Sequence, residues 1–531
     1  MLKQLFVAIL ICAVFVQCAR RGSPTGGPKD ETPPIMLRAE PPQQSVQFKE
    51  DRIRIYFDEY IKLNKLNDQL VVSPPLEQTA YNITPQSQAA KYVEIEFLDS
   101  LAPNTTYTFN FGESVVDNNE GNPFSYFSYV FSTGTTIDSL TLRGSISDAI
   151  YRTPESFVSV MLFPIDSTYN DSVIYKNKPL YYTNTLDSLT EFLIPNLKAG
   201  DYLLAAVKDK SKNYVFDPSV DKIDAISHAI TLPNDSLFQL SLFKEDPAFD
   251  FGKAFQAGKQ RIGFGFKGSD AISIELDETV NDSFASIVSR DRESDTLYYW
   301  YKGVDADSLH FTLRHDNLTK EYAFRVRKSE LDSLQISFEP KGTLHLSDTL
   351  KLISNTPIKK LVQDFMSLRA KDSTQIPFTL TQKGLHELHI LFDVFPNEKY
   401  QFEFLPGALI DFFDTANDSL STSFSTKSRV DYGNLSLRLA NVPSYPVFID
   451  LLNEKEEIVR SKYIKEKSGL YRFAYLLPNK YYVRIRIDEN SNGKWDTGNF
   501  LARKKPEAVY HFPPLLDVRA NWELQEQFIV E

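Results

Sequence analysis

Thiols are almost missing from this chain: its 531 residues hold two cysteines, Cys12 and Cys18, and none follows. Disulfide pairing is therefore excluded from everything beyond residue 18. A basic excess is missing too, since 58 Lys and Arg face 70 Asp and Glu for a net charge of -12. Spread along the chain, that charge excludes a basic nucleic-acid face and favours solubility. Methionine and tryptophan are scarce. Helical patterning is equally thin; Ile358 to Leu368 is the best helix candidate, and it is short.

Signatures of catalysis are absent in the same way. No Gly-x-Ser-x-Gly elbow occurs, and no mature thiol remains to act as nucleophile. Gly263-Phe264-Gly265-Phe266-Lys267-Gly268 has the letters of a dinucleotide fingerprint, but Ile262, Phe264 and Phe266 alternate and no helix pattern follows, so it reads as a strand. His386 and His389 stand three apart in a strand-like run and point to opposite faces, which argues against a shared metal. Asp58 and Glu59 are adjacent in a strand and diverge. The chain is not expected to be an enzyme.

What is present begins with an apolar leader, Leu5 to Val16 behind Lys3, closed by Cys18. It fits a secretory signal and is too short to span a bilayer, which takes about 20 apolar residues. Ala19 to Pro34 is polar and rich in Gly and Pro, a tether that cannot bury a core. Cys18 is accordingly the expected lipid attachment point, palmitate-type acylation included, after a signal peptide at 1–17. The competing reading is an ordinary signal peptide with an incidental cysteine, because Gln17 stands where a small residue is usual. Cys12 would leave too short an apolar run before it.

Beyond the tether the period is two almost everywhere, as in Arg52-Ile53-Arg54-Ile55-Tyr56-Phe57 and Lys399-Tyr400-Gln401-Phe402-Glu403-Phe404. Polar turn clusters such as Asp117 to Pro123 separate the runs, so the expected class is all-β, built of sandwiches or small barrels. Two segments recur. Ala102-Pro103-Asn104-Thr105-Thr106-Tyr107 with Phe131-Ser132-Thr133 is echoed by Phe395-Pro396-Asn397-Glu398-Lys399-Tyr400 with Phe424-Ser425-Thr426. Ile194-Pro195-Asn196 through Asp209 is echoed by Leu477-Pro478-Asn479 through Asp488. A two-domain unit used twice around a β-rich centre accounts for both echoes.

These residues resemble a known group. Pro24-Thr25-Gly26-Gly27-Pro28-Lys29-Asp30, Ile53 to Glu59 and Phe131-Ser132-Thr133-Gly134 are similar to the Ig-like-domain lipoproteins of Bacteroidota, whose first module is the bacterial Ig-like type seen in surface-layer proteins. Asp488 to Phe500 with Asn521-Trp522 resembles the closing module of the same lipoproteins, and the second echo resembles transthyretin-type sandwiches. The resemblance implies a tether at 18–31, an Ig-like domain at 32–135, a transthyretin-like sandwich at 136–245 and a C-terminal transthyretin-like sandwich at 429–531; the first echo marks a second Ig-like domain at 331–428, and the strand pattern alone marks a β-rich middle domain at 246–330. It further implies a non-catalytic cell-envelope protein anchored in the outer membrane. Ala19 lacks the Asp of inner-membrane retention, while Arg20 and Arg21 replace the acidic cluster of surface export, so periplasm-facing and surface-facing orientations both stay open.

Two places carry chemistry. Asp488, Asn490, Asn492 and Asp496 supply oxygens at the first, third, fifth and ninth positions of an EF-hand-type loop, with Gly493 at the sixth and the Lys494 carbonyl at the seventh, so calcium is the one cofactor expected. Asn499 departs from the bidentate Glu at the twelfth, and the alternative is a polar joint bonded to its own backbone. The earlier copy keeps Asp209, Ser211, Asn213 and Asp217 but has Tyr214 for the Gly, and is expected to hold no metal. Tyr298 and Trp300 share one face of an aromatic strand and offer a sugar-stacking platform, against packing inside a sandwich. The reading is a binding or scaffold lipoprotein with a protein partner and no nucleic acid. Its rivals are an accessory subunit of an outer-membrane assembly or secretion complex and a carbohydrate-binding lipoprotein of the cell surface.

Overall fold

The computed structural model describes residues 30–185, 190–269, 271–277, 282–304, 306–325 and 333–530. Cys18 and the expected signal peptide lie outside them. The fold is all-β, made of tandem sandwiches, and each sheet draws its strands from one of five stretches: 36–132, 140–242, 250–325, 336–425 or 433–529. Alternation explains the strands directly. In Arg52–Leu63, Ile53, Ile55 and Phe57 enter the core while Arg54 and Tyr56 stay half-buried outside. The core of this first stretch is aromatic, with Phe57, Phe109, Phe111 and Phe131 among its members.

Both sequence echoes are structural. The first stretch orders Met36–Glu40, Arg52–Leu63, Ala90–Phe97 and Tyr81–Thr84 in one sheet and Val71–Ser73, Thr106–Asn110 and Ser128–Ser132 in the other. The fourth stretch repeats this order with Ile336–Glu339, Leu350–Ser354, Glu387–Phe392 and Phe378–Lys383, then Met366–Arg369, Lys399–Phe404 and Leu420–Ser425. A hydrogen-bonded corner shows why the echoed letters matter. Tyr107 accepts from the Ala102 N–H at 2.9 Å, and Tyr400 from the Phe395 N–H at 2.7 Å. Thr133 Oγ1 donates to the Ala102 carbonyl at 2.7 Å, and Thr426 Oγ1 to the Phe395 carbonyl at 2.6 Å. Asn104 and Asn397 take the left-handed turn between them, at φ +50° and +56°. A tyrosine hydroxyl thus pins the backbone a few residues upstream in both copies, as the tyrosine corner of Ig-like sandwiches does.

Ile358–Leu368, the best helix candidate, is instead a strand (Ile358–Leu361), a single 3-10 turn and a second strand from Met366. Ladder pairing with Leu409–Asp411 and with Gln401–Phe404 decides this, overriding a weak local pattern. Gly263 to Lys267 is strand, paired on both sides.

The chain forms two compact units. One holds residues up to Ile146, Glu155–Val215 and Ala225–Leu240; the other holds Ser147–Pro154, Phe216–Asp224 and Ser241 onward. Within the second unit, loops that are distant in sequence are tied to the last sandwich. Arg152 donates to the carbonyls of Phe512 at 2.6 Å and Pro513 at 3.0 Å and lies 4.6 Å over the Tyr482 ring. Arg484 reaches the Ile150 carbonyl at 2.9 Å, and Lys505 pairs with the buried Asp224. Among the described residues no helix is long and apolar enough to cross a membrane.

Candidate functional site

The loop from Asp488 to Asp496 leaves the strand Asn479–Ile487 as an extension of its last turn. Asp488 has no solvent exposure, and its carboxylate organises the turn beyond it. Its Oδ1 accepts the Asn492 N–H at 3.0 Å; its Oδ2 accepts the Gly493 N–H at 2.9 Å and the Tyr463 hydroxyl at 2.7 Å. Burial pushes its pKa up, but these donors outweigh burial and hold it below the ordinary carboxylate value. Asn492 Oδ1 accepts the Lys494 N–H at 2.9 Å, and the Asn490 and Asn492 amides donate to Asp496. Gly493 sits at φ +82° in open space, where only glycine is unstrained.

The residue that closes this loop is one the sequence reading missed. Glu507, nearly buried, accepts the Glu489 N–H and the Asp496 N–H, both at 2.8 Å. Asn499, at the twelfth position, turns away: its backbone pairs both ways with Lys504, and its Oδ1 accepts the Ala502 N–H. The donor set therefore fits calcium in part. Asp488, Asn490, Asn492, Asp496 and the Lys494 carbonyl lie on one turn, but no bidentate carboxylate completes them and the loop is held by its own hydrogen bonds. Among the described residues no group of three His, Cys, Asp or Glu side chains comes together for a metal.

The earlier copy shares this frame, not its chemistry. Asp209 Oδ2 accepts the Tyr214 N–H at 2.7 Å, matching Asp488 with Gly493. Asn213 Oδ1 accepts the Val215 N–H at 2.9 Å, matching Asn492 with Lys494. Asp221 accepts the Asp217 N–H at 3.0 Å, matching Glu507 with Asp496. Left-handed residues fall at the fourth and sixth positions of both loops: Lys212 at φ +52° and Tyr214 at +63°, Ser491 at +59° and Gly493 at +82°.

The aromatic platform is corrected. Trp300 is 1 % exposed, so it offers no face to a sugar; Tyr298 beside it is half-buried. Leu297, Tyr299 and Tyr301 fill the core of the middle stretch, as alternation requires, and the opposite face is covered by the next stretch. The Trp300 ring lies 5.6 Å from His386 and 6.1 Å from Phe413, with the Arg261 guanidinium 4.9 Å away. Trp300 Nε1 donates to Ser289 Oγ at 2.8 Å, and Ser289 in turn meets His386 Nε2 at 2.9 Å. His386 Nδ1 lies 3.0 Å from the Ser354 carbonyl, so it carries the proton and Nε2 accepts. Burial lowers the His386 pKa, in keeping with a neutral ring. Beside this joint Lys302 and Lys359 both hold Asp414, and their hydrogen bonds pull its carboxyl down to about 2. His389 faces away and bonds Glu387, so the two histidines share nothing.

The most buried charges in the last sandwich are structural. Asp450, without exposure, takes Arg484 at 3.0 Å, Arg486 at 2.7 Å and the Ser461 hydroxyl at 2.7 Å. Removing one member would strand the others in a low dielectric. His511 stands near this cluster with neither ring nitrogen hydrogen-bonded; burial first, then Arg484 and Arg152, push its pKa down to about 4.

Comparison with known proteins supports the first stretch. Residues 30–133 match the bacterial Ig-like domain family. No curated protein matches the chain. Among solved structures, the major pilin subunit BcpA of Bacillus cereus aligns at 11% identity over 74% of this chain and 100% of the pilin, with a TM-score of 0.15. The surface layer protein SbsC, domains 1–6, aligns at 8% identity over 92% of this chain and 67% of its own, again at 0.15. The Bacteroides ovatus mixed-linkage glucan utilization protein SGBP-B, solved with a heptasaccharide, aligns at 12% identity over 71% and 93%, at 0.18. Superpositions this loose carry no argument about what the chain binds.

Proposed function

We propose that the chain is a non-catalytic binding or scaffold lipoprotein of the cell envelope, anchored through Cys18 to the outer membrane and presenting tandem sandwiches to a protein partner. The observation that carries this reading is the bacterial Ig-like match at 30–133 on an all-β chain whose conspicuous polar clusters serve structure. Asp450 with its two arginines, Asp488 with its loop and Ser289 with Trp300 and His386 are each spent on packing or on backbone donors. The first two hold the last sandwich together, and the third joins the middle stretch to the fourth. An assembly subunit is the sharper form of this reading, because tandem sandwiches suit a structural member of a complex.

The anchor is tested by membrane fractionation of wild type and Cys18→Ala. Wild type is expected in the outer-membrane fraction and the variant in the soluble one. A variant that stays with the membrane contradicts the anchor.

A further inference from the structure

Inside the first unit a cleft of about 790 Å³ opens between the short helix Leu66–Gln69, the edge strand Tyr81–Thr84 and the loop carrying Lys212 and Tyr214. Three of its lining residues, Lys65, Lys212 and Tyr214, hold positive φ of +48°, +52° and +63° without being glycine. Such backbone costs about 1 kcal/mol each. Tyr214 is the telling case. The matched loop near the end of the chain has Gly493 at the same position and in the same left-handed region, with the same hydrogen bond to the leading Asp, so the frame needs no side chain there. In this copy a large phenol occupies a position that favours glycine, and it forms part of the cleft wall.

The rest of the lining mixes aliphatic side chains, among them Leu66 and Ile83, and the Lys65 amine with amides and phenols. Asn67, Gln78, Asn82 and Gln86 join Tyr81 and Tyr214, with the Asp68 to Lys212 ion pair across the loop. Each amide both donates and accepts, which matches neighbouring sugar hydroxyls that do the same. Burial raises both phenol pKa values, keeping the hydroxyls protonated as donors. The volume suits a ligand of a few sugar rings. A peptide adding to the edge strand would find only four residues, closed by Pro85. We propose that this cleft binds a neutral oligosaccharide, gripped by the amides of Asn67 and Gln78 and the hydroxyls of Tyr81 and Tyr214. The proposal stands apart from the anchored-scaffold reading, since it uses neither Cys18 nor a protein contact.

The test is calorimetric titration of the full chain in mild detergent with cellotetraose, maltotetraose, mannotetraose and chitotetraose, and separately with a neutral threonine-valine hexapeptide. At least one sugar is expected to saturate. The exposed double variant Asn67→Ala with Gln78→Ala should weaken it about tenfold at an unchanged melting temperature. Tyr214→Phe keeps the ring against Tyr182, 5.0 Å away, and should weaken it without unfolding the loop, while Asn490→Ala in the other loop changes nothing. Saturation by none of the four sugars, full affinity in the double variant, or binding of the hexapeptide alone overturns the proposal.

Discussion

The loops that begin at Asp209 and Asp488 are one backbone device that carries two different sets of side chains. In both, a buried aspartate takes the N–H five residues on, an asparagine takes the N–H two residues beyond itself, and a later carboxylate, Asp221 or Glu507, takes the N–H of the ninth residue. The later loop keeps Gly and a ring of oxygen donors; the earlier one has Lys212 and Tyr214 at its left-handed positions and turns them to a cleft. The lesson is that a shared hydrogen-bond frame does not require shared side-chain chemistry. Matching letters predict the shape of a turn better than they predict what the turn binds.

The comparison breaks most readily at its shared part. Asp488→Ala leaves two backbone donors and the Tyr463 hydroxyl without their acceptor and should cost about 2–4 kcal/mol in urea unfolding, and Asp209→Ala, which frees the Tyr214 N–H, should also destabilise. A loss at one aspartate and none at the other would dissolve the equivalence.

Titration sharpens the contrast next, because the earlier copy's His228 is exposed while His511 of the last copy is half-buried with neither ring nitrogen hydrogen-bonded. Its folded pKa, about 4, lies below the ordinary 6.5 of an unfolded histidine. The unfolded chain therefore takes the proton first, and stability falls as pH drops from about 6.5 towards 4. His386 acts in the same sense. The urea midpoint should be lower at about pH 5 than at about pH 7, and His511→Gln should flatten that slope; an unaltered slope would remove His511 from the account.

Smaller still is the backbone effect. Gly493→Ala, at φ +82° with open space around it, should cost about 1 kcal/mol by strain alone, read as a shift in the same unfolding curve. Calcium comes last. With two carboxylates and no bidentate ligand, the later loop should bind it only in the range of about 10⁻⁴–10⁻³ M, so about 1 mM calcium should add on the order of 1 kcal/mol. Asp496→Ala should abolish that gain and Asp217→Ala should leave it intact. No gain in wild type would make the later loop a joint alone.

Much of the fold was legible because its causes are local. Period-two alternation marks Ile53, Ile55 and Phe57 as inward, and the Pro-Asn turn with a tyrosine a few residues on encodes a corner whose bonds span few residues. The failures share the opposite trait. Glu507 lies 11 residues beyond the Asp496 it closes, with no motif between to announce it. Alternation showed that Trp300 and Tyr298 share a face, yet only a different stretch, through His386 and Phe413, decides that Trp300 is covered. The 358–368 segment was ambiguous for the same reason, since partners some 40 residues away set its pairing. The cleft beside Tyr214 is assembled from segments more than 100 residues apart, which no single run of letters displays.

The claim that these sandwiches form an anchored scaffold for a protein partner is tested most directly by a mild-detergent pull-down from native membranes through a C-terminal tag, with mass spectrometry of the eluate. The account predicts recovery from the outer-membrane fraction with an envelope protein in fixed stoichiometry. Recovery of the chain alone, or from the soluble fraction, would contradict it.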